Sequence, residues 1–306
     1  MASGLTMFRE TALVVAIERP APRYVLVTLR APQIARAFQP GQFVMAHGFE
    51  GADPLLPRPL AICDADAAQG TLRLLLMPVG RGTRLLCDPA RNRDRAWRLL
   101  GPLGRGFWLD AAAPTALAAP AALAAPAVQA VQAVQATHAI CLAGGTGAAA
   151  LVSWAQACAR RHAGGGGPAP IFLMGARDVG GLLNEAFFQS APEHYPVAVA
   201  TDDGAAGFHG TVVGLLEKTL SELPAGSRPA LFAAGPDRMM RAAAKLAAER
   251  HLPCQVSLEE RMACGVGICR ACVVNGCEAH PETGLKRRAV CCDGPVFDRA
   301  ELEAYR

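Results

Sequence analysis

The chain has 306 residues, 52% of them hydrophobic, and carries 30 basic against 26 acidic residues, for a net charge of +4. So mild a balance, without a stripe dense in Lys or Arg, excludes a nucleic-acid partner, and the length suits roughly two or three domains. The start MASGLTMFRE lacks a basic patch followed by an apolar run, and no apolar run reaches membrane-spanning length, so a cytoplasmic protein is expected, with neither leader nor membrane segment.

Residues 5–110 read as a small antiparallel β-barrel. Strands are predicted at Ala12–Ile17, Tyr24–Leu29, Gln42–Ala46 and Thr71–Met77, each rich in Val, Leu or Thr and separated by Pro and Gly. Arg58-Pro59-Leu60-Ala61 follows Pro57 at a strand start, where an arginine can neutralise a phosphate. Gly80-Arg81-Gly82-Thr83 is a turn suited to phosphate, with a hydroxyl at its end. Taken singly, each of these motifs also fits an ordinary loop.

Residues 111–136, with regular prolines and three VQA triplets, read as a linker or insertion without chemistry. Strands and helices alternate over residues 137–252, which implies a doubly wound α/β domain with a parallel sheet. The predicted strands are His138–Leu142, Ile171–Met174, Val197–Ala200 and Ala230–Ala233. The predicted helices are Gly147–His162, Val179–Gln189, Thr211–Thr219 and Asp237–Arg250. Gly144-Gly145-Thr146-Gly147 joins the first strand to its helix. Glycines there let the backbone approach a pyrophosphate, and the helix start offers free N–H groups. Asp202-Asp203-Gly204 and Gly235-Pro236 mark later strand ends, which line the ligand crevice in such sheets. A turn without ligand remains the competing reading of the glycines.

Six of the 11 cysteines crowd into residues 264–292. Cys264, Cys269 and Cys272 stand at C-x4-C-x2-C spacing, the plant-type 2Fe–2S arrangement. Thiolates suit iron and sulfide, and Gly265 and Gly267 permit the tight turns that aim amides at the sulfurs. Zinc is the rival, but it favours two C-x2-C pairs and only one is present. Spacing leaves the fourth ligand open among Cys277, Cys291 and Cys292. Residues 253–306 are too few for a core of their own, so a metal centre is expected to support them.

In order, the R-P-x-x motif, the G-x-G-T turn, GPLGRGF at 101–107, the Gly-rich turn, TDDG, GPDRM at 235–239 and VSLEERMACGVGICRACVV at 256–274 resemble the ferredoxin-reductase-like flavoproteins. The nearest resemblance is to the electron-transfer subunits of class B dihydroorotate dehydrogenases, which end in V-C-x-D-G-P-V-F, as residues 290–297 do with VCCDGPVF. The resemblance spans nearly the whole chain except 111–136. It implies an α+β multidomain protein: an FAD-binding barrel, an NAD-binding α/β domain and a 2Fe–2S segment. It makes Cys291 the fourth ligand and Cys292 the variable residue. It assigns FAD to Arg58, Pro59, Leu60, Ala61, Leu75, Leu76, Met77, Gly82 and Thr83. NAD falls to Gly144, Gly145, Thr146, Gly147, Asp203, Gly235 and Pro236. The family usually has Ser or Thr at Ala61, often Cys at Ala234, and a Pro after the Gly-rich turn.

The resemblance implies an oxidoreductase of pyrimidine biosynthesis with a partner subunit, an FMN-containing dihydroorotate dehydrogenase, in a heterotetramer. Electrons would pass through the cluster and FAD to NAD+, with no acid or base residue. A related NADPH–ferredoxin or sulfide-type oxidoreductase subunit is the alternative, and Arg177, after the second α/β strand, is where a 2′-phosphate could sit. Val266 and Ile268, with Pro295, Val296 and Phe297, are expected to form an exposed apolar rim for the partner.

Overall fold

The computed structural model describes residues 7–48, 53–92, 95–109, 136–188, 194–280 and 283–306; nearly all of the 111–136 segment lies outside the described residues. Six strands, β1 (Phe8–Ala21), β2 (Tyr24–Arg30), β3 (Phe43–His47), β4 (Arg58–Asp66), β5 (Thr71–Leu76) and β6 (Ala96–Leu103), close an antiparallel barrel in the order β1-β2-β5-β4-β3-β6. Three short helices, α1 (Pro32–Ala37), α2 (Arg81–Leu86) and α3 (Pro89–Asn92), decorate it.

Strand periodicity divides β4 and β5 between two cores. Leu60 and Ile62 of β4, with Leu72, Leu74 and Leu76 of β5, fill the barrel interior beside Trp97. Their alternates Ala61, Cys63, Leu75 and Met77 pack into a different core, the one shared with the α/β domain.

That domain is built on β7 (His138–Gly144), β8 (Ala169–Ala176), β9 (Val197–Thr201), β10 (Phe208–His209), β11 (Pro229–Ala234) and β12 (Cys254–Ser257). Its helices are α4 (Ala148–Ala163), α5 (Glu185–Phe188), α6 (Val212–Glu222) and α7 (Asp237–Glu249). Two further strands, β13 (Val273–Asn275) and β14 (Arg287–Ala289), form a separate ribbon, followed by α8 (Val290–Asp293) and β15 (Val296–Asp298). The main sheet runs β10-β9-β8-β7-β11-β12-β15, parallel except where β15 meets β12. The chain steps outward from β7 to β8 and β9, then crosses back to β11 on the other side. The switch point between β7 and β11 is where doubly wound sheets open a ligand crevice.

Val179–Gln189 is not the helix expected. It holds a 3-10 turn at Val179–Gly181 and the short α5 instead. Docking on the barrel accounts for the difference. Tyr24 Oη donates to the Gly181 carbonyl at 3.1 Å, Asn184 N–H to that of Pro20 at 3.3 Å, and Arg23 pairs with Asp178 at 2.6 Å. These contacts draw the Gly181 carbonyl and the Asn184 amide to the barrel, which interrupts a continuous helix between the 3-10 turn and α5.

The expected apolar rim also needs correcting. Pro295, Val296 and Phe297 are buried, because β15 adds to the sheet edge at β12. Arg105, 8% exposed, locks this segment to the barrel. Its Nε donates to the Val296 carbonyl at 2.9 Å, its other nitrogens grip the Glu301 carboxylate, and its guanidinium lies 4.4 Å from the Trp108 ring centre.

Candidate functional site

A cleft of about 980 Å³ opens at the switch point. Met77 of the barrel, Gly144–Thr146 after β7, Gly235–Asp237 after β11 and Leu258–Glu260 after β12 all line it. Val273–Asn275 and the C-terminal turn through Tyr305 close the far side. The three chain regions expected to hold three cofactors therefore meet at one cleft.

Close backbone approach explains the glycines. A Cβ at Gly147 would overlap the Ala234 carbonyl and lie 2.6 Å from the Gly235 nitrogen; one at Gly144 would lie 2.8 Å from Pro236 Cδ. Gly145, at φ +59, has no atom within 4 Å of its missing side chain and faces open space. Thr146 Oγ1 donates to Glu259 Oε1 at 3.2 Å. Gly144, Gly145, Thr146, Gly147, Gly235 and Pro236 are thus brought together. Asp203 is not: it lies in the turn after β9, two strands from β7 and so about 10 Å away at ordinary strand spacing, and its carboxylate accepts the Ala205 amide at 3.0 Å.

On the barrel, the Arg58 guanidinium lies over Gly82, where a Cβ would come within 2.5 Å of its Cζ. The R-P-x-x strand and the G-x-G-T turn therefore form one surface. Thr83 is half turned inward, its hydroxyl bonded to the Gly80 amide at 3.0 Å at the start of α2. Leu60 and Leu76 point into the barrel interior and can offer a flavin only backbone atoms. Ala61, Leu75 and Met77 face the α/β domain, while Pro59 is partly exposed at the start of β4.

The cysteine loop fits a two-iron cluster better than a single ion. Among the described residues, no three Cys, His, Asp or Glu side chains converge on one point. Cys264 lies against Cys269, and Cys291 lies against both Cys272 and Cys292, with the Cys291 and Cys292 sulfurs 3.7 Å apart; Cys264 with Cys269 and Cys272 with Cys291 would give each of two irons two thiolates. Backbone N–H groups aim at the sulfurs: Val266 and Cys269 at Cys264 Sγ, both at 3.4 Å, and Gly267 at Cys291 Sγ at 3.1 Å. Gly265 and Gly267 make this possible with φ of +74 and +79. A hydrogen bond from the Ala271 amide leads in lowering the exposed Cys269 thiol to about 7, which favours the thiolate that iron needs. Burial pushes the core thiols the other way, Cys63, Cys158 and Cys254 to about 12 and Cys87 to about 11; within the loop, the contact with Cys291 and burial raise Cys272, and Cys291 is raised to about 12. Cys277 turns toward the C-terminus, its amide donating to the Glu301 carbonyl at 3.0 Å.

Sequence reasoning missed the acidic and aromatic side of the cleft. Tyr305 Oη donates to Asp237 Oδ1 and Arg241 Nε to Oδ2, both at 2.6 Å, and Arg241 also lies over the Tyr305 ring. Asp237 lies in the GPDRM motif, but no local motif marks Arg241 or Tyr305. Only the return of the C-terminus to α7 unites them.

A family model described as the iron–sulfur cluster binding domain of dihydroorotate dehydrogenase B matches residues 259–303. The chain is 37% identical over 288 residues to the dihydroorotate dehydrogenase B (NAD+) electron transfer subunit of Desulforamulus reducens, covering 94% of this chain and 95% of that protein. It is 36% identical to the subunit of the same name from Geobacillus thermodenitrificans, covering 96% and 98%. Among solved structures, it is similar in fold to the NADH-dependent reduced ferredoxin-NADP oxidoreductase, with a TM-score of 0.74 at 23% identity over 96% of this chain and 90% of that one. It is likewise similar to the ferredoxin reductase of carbazole 1,9a-dioxygenase, with a TM-score of 0.59 at 19% identity over 81% and 67%.

Proposed function

Because the chain belongs to the family of dihydroorotate dehydrogenase B (NAD+) electron-transfer subunits, we propose that it carries electrons from a partner dihydroorotate dehydrogenase subunit containing FMN to NAD+, in pyrimidine biosynthesis. The observation that carries this reading is the cleft that Met77 of the barrel, the Gly-rich turn and Val273–Asn275, which follow Cys272, line together. When bound, the 2Fe–2S cluster exchanges single electrons, FAD joins them in pairs, and NAD+ leaves with a hydride.

The residues divide the work. Cys264, Cys269, Cys272 and Cys291 hold the cluster. Arg58, Gly82 and Thr83 receive the FAD phosphates, while Ala61, Leu75 and Met77 carry the ring side and Pro59, Leu60 and Leu76 give backbone. Gly144–Gly147 take the NAD pyrophosphate, Gly235 and Pro236 the nicotinamide end, and Asp203 the far end of the dinucleotide. The domain limits follow: 5–110 for FAD, 137–252 for NAD and 253–306 for the cluster, with 111–136 between. No helix among the described residues is long and apolar enough to cross a membrane, which agrees with work in the cytoplasm.

NADH is the expected cofactor rather than NADPH. Arg177 follows β8, but its carbonyl accepts the Asp203 amide at 3.2 Å, which seats the Asp202-Asp203 carboxylates on the neighbouring strand end. Two carboxylates there oppose a 2′-phosphate. In steady-state assays with an artificial acceptor, kcat/KM for NADH should exceed that for NADPH by about tenfold or more. An NADPH preference that disappears in Arg177→Ala contradicts this.

The partner meets the cluster loop. Ile268 is 82% exposed between Cys264 and Cys269, and Cys269 is exposed beside it. An apolar side chain so placed suits an interface core. Ile268→Glu should weaken co-purification with the partner and cut dihydroorotate-dependent NAD+ reduction, while leaving NADH oxidation by an artificial acceptor unchanged. Undiminished coupling in that variant moves the interface elsewhere. Two such pairs form the heterotetramer.

A further inference from the structure

Cys292 is a thiol beside the cluster loop to which the ligand assignment gives no role. It follows Cys291 within α8, and adjacent helical residues ordinarily diverge. Here their sulfurs come to 3.7 Å, within hydrogen-bonding range for sulfur. Cys292 is also seated against the loop itself, since a Cβ at Gly267 would lie 2.8 Å from its Sγ. The Gly267 amide points to Cys291 instead, at 3.1 Å. The loop amide and the neighbouring thiol thus both approach the Cys291 sulfur.

As free thiols, either cysteine of the pair can donate. Ligation to iron removes the Cys291 proton, after which its sulfur can only accept. The hydrogen of the pair then belongs to Cys292. Reduction adds one electron to the cluster with no bond made or broken, and its ligand sulfurs become more negative. A donor aimed at such a sulfur stabilises the reduced state more than the oxidised one.

We propose that Cys292 is a positioning residue whose S–H donates to the Cys291 sulfur and raises the reduction potential of the 2Fe–2S cluster. The inference rests on Cys291 as the fourth ligand. The variable place in V-C-x-D-G-P-V-F becomes the place where this chain sets its potential.

The test uses the full chain loaded with FAD and cluster, as Cys292→Ala and Cys292→Ser. Serine keeps a donor and alanine removes it. Iron and sulfide content, FAD content and the midpoint potential from a spin-resonance-monitored redox titration are measured for each. Both variants should keep a full cluster and full FAD. The alanine variant should show a lower potential, with the reduced-to-oxidised ratio at the wild-type midpoint falling several-fold; tenfold corresponds to 59 mV for one electron. The serine variant should stay nearer to wild type than to alanine. A full cluster with unchanged potential in Cys292→Ala overturns this inference alone, as does a serine variant shifted as far as alanine. Loss of the cluster in Cys292→Ala makes Cys292 a ligand and overturns the ligand assignment as well.

Discussion

Serine at Cys264, Cys269, Cys272 or Cys291 should remove the 2Fe–2S absorbance and electron-spin signal from the purified chain, whereas serine at Cys277 should leave both and serine at Cys292 should leave a full cluster. Each of the four contributes one sulfur to a pair, and a pair reduced to one thiolate leaves an iron short of a ligand. The loop amides at Val266, Gly267 and Cys269 aim at sulfurs of this set and cannot follow a replacement ligand without moving the backbone. The fold itself should survive. Cys272 and Cys291 sit in the core shared with β11 and β12, and β15 is zipped to β12 without help from iron. Iron analysis and spin-resonance spectra check the result, with FAD content as the control for folding. A Cys292→Ser chain without cluster beside a Cys291→Ser chain that keeps it would reverse the assignment.

The second large effect is expected at Gly147. An alanine methyl there overlaps the Ala234 carbonyl, which is backbone of the central strand pair and cannot swing aside. The turn must retreat by roughly 1 Å to restore van der Waals contact, and a misplacement of that size can lower the rate ~100-fold. NADH oxidation by an artificial acceptor should fall by about that factor in Gly147→Ala, with FAD and cluster retained because the residues proposed to hold them lie outside the turn. Gly145→Ala is the comparison. Its methyl meets no atom within 4 Å, so only the strain of φ +59 remains, about 1–2 kcal/mol. A Gly147→Ala chain with wild-type kinetics would remove the Gly-rich turn from the nucleotide site.

The sheet was legible where burial on both faces leaves a continuous apolar run. His138–Gly144 and Pro229–Ala234 are such strands, and they carry the two turns that form the switch point. Short edge strands leave no such trace. Cys254–Ser257 is only four residues, and Val296–Asp298 only three, so both were hidden in the cysteine-rich tail. β6 was hidden as well, its apolar residues interrupted by Arg98, Gly101 and Pro102. Three of the proposed cluster ligands, Cys264, Cys269 and Cys272, stood out by local spacing, whereas the fourth lies beyond the reach of spacing because Cys277, Cys291 and Cys292 all follow the loop. The division of β4 and β5 between two cores was not, since it depends on which barrel wall meets α4. Arg241 and Tyr305 were invisible for the same reason, as only the tertiary fold brings them to the cleft.

The central claim is that this chain relays electrons between a partner and NAD+ and does not itself oxidise dihydroorotate. The direct measurement is dihydroorotate-dependent NAD+ reduction, followed at the NADH absorbance, with the chain alone and with the FMN-bearing dihydroorotate dehydrogenase subunit from the same source. Alone, the chain should oxidise NADH with an artificial acceptor and show no reaction with dihydroorotate. With the partner, NADH should form from dihydroorotate, and the activity should vanish when any one of the four cluster cysteines is serine. Dihydroorotate oxidation by the lone chain, or a partner that yields no NADH in the mixture, would contradict the account.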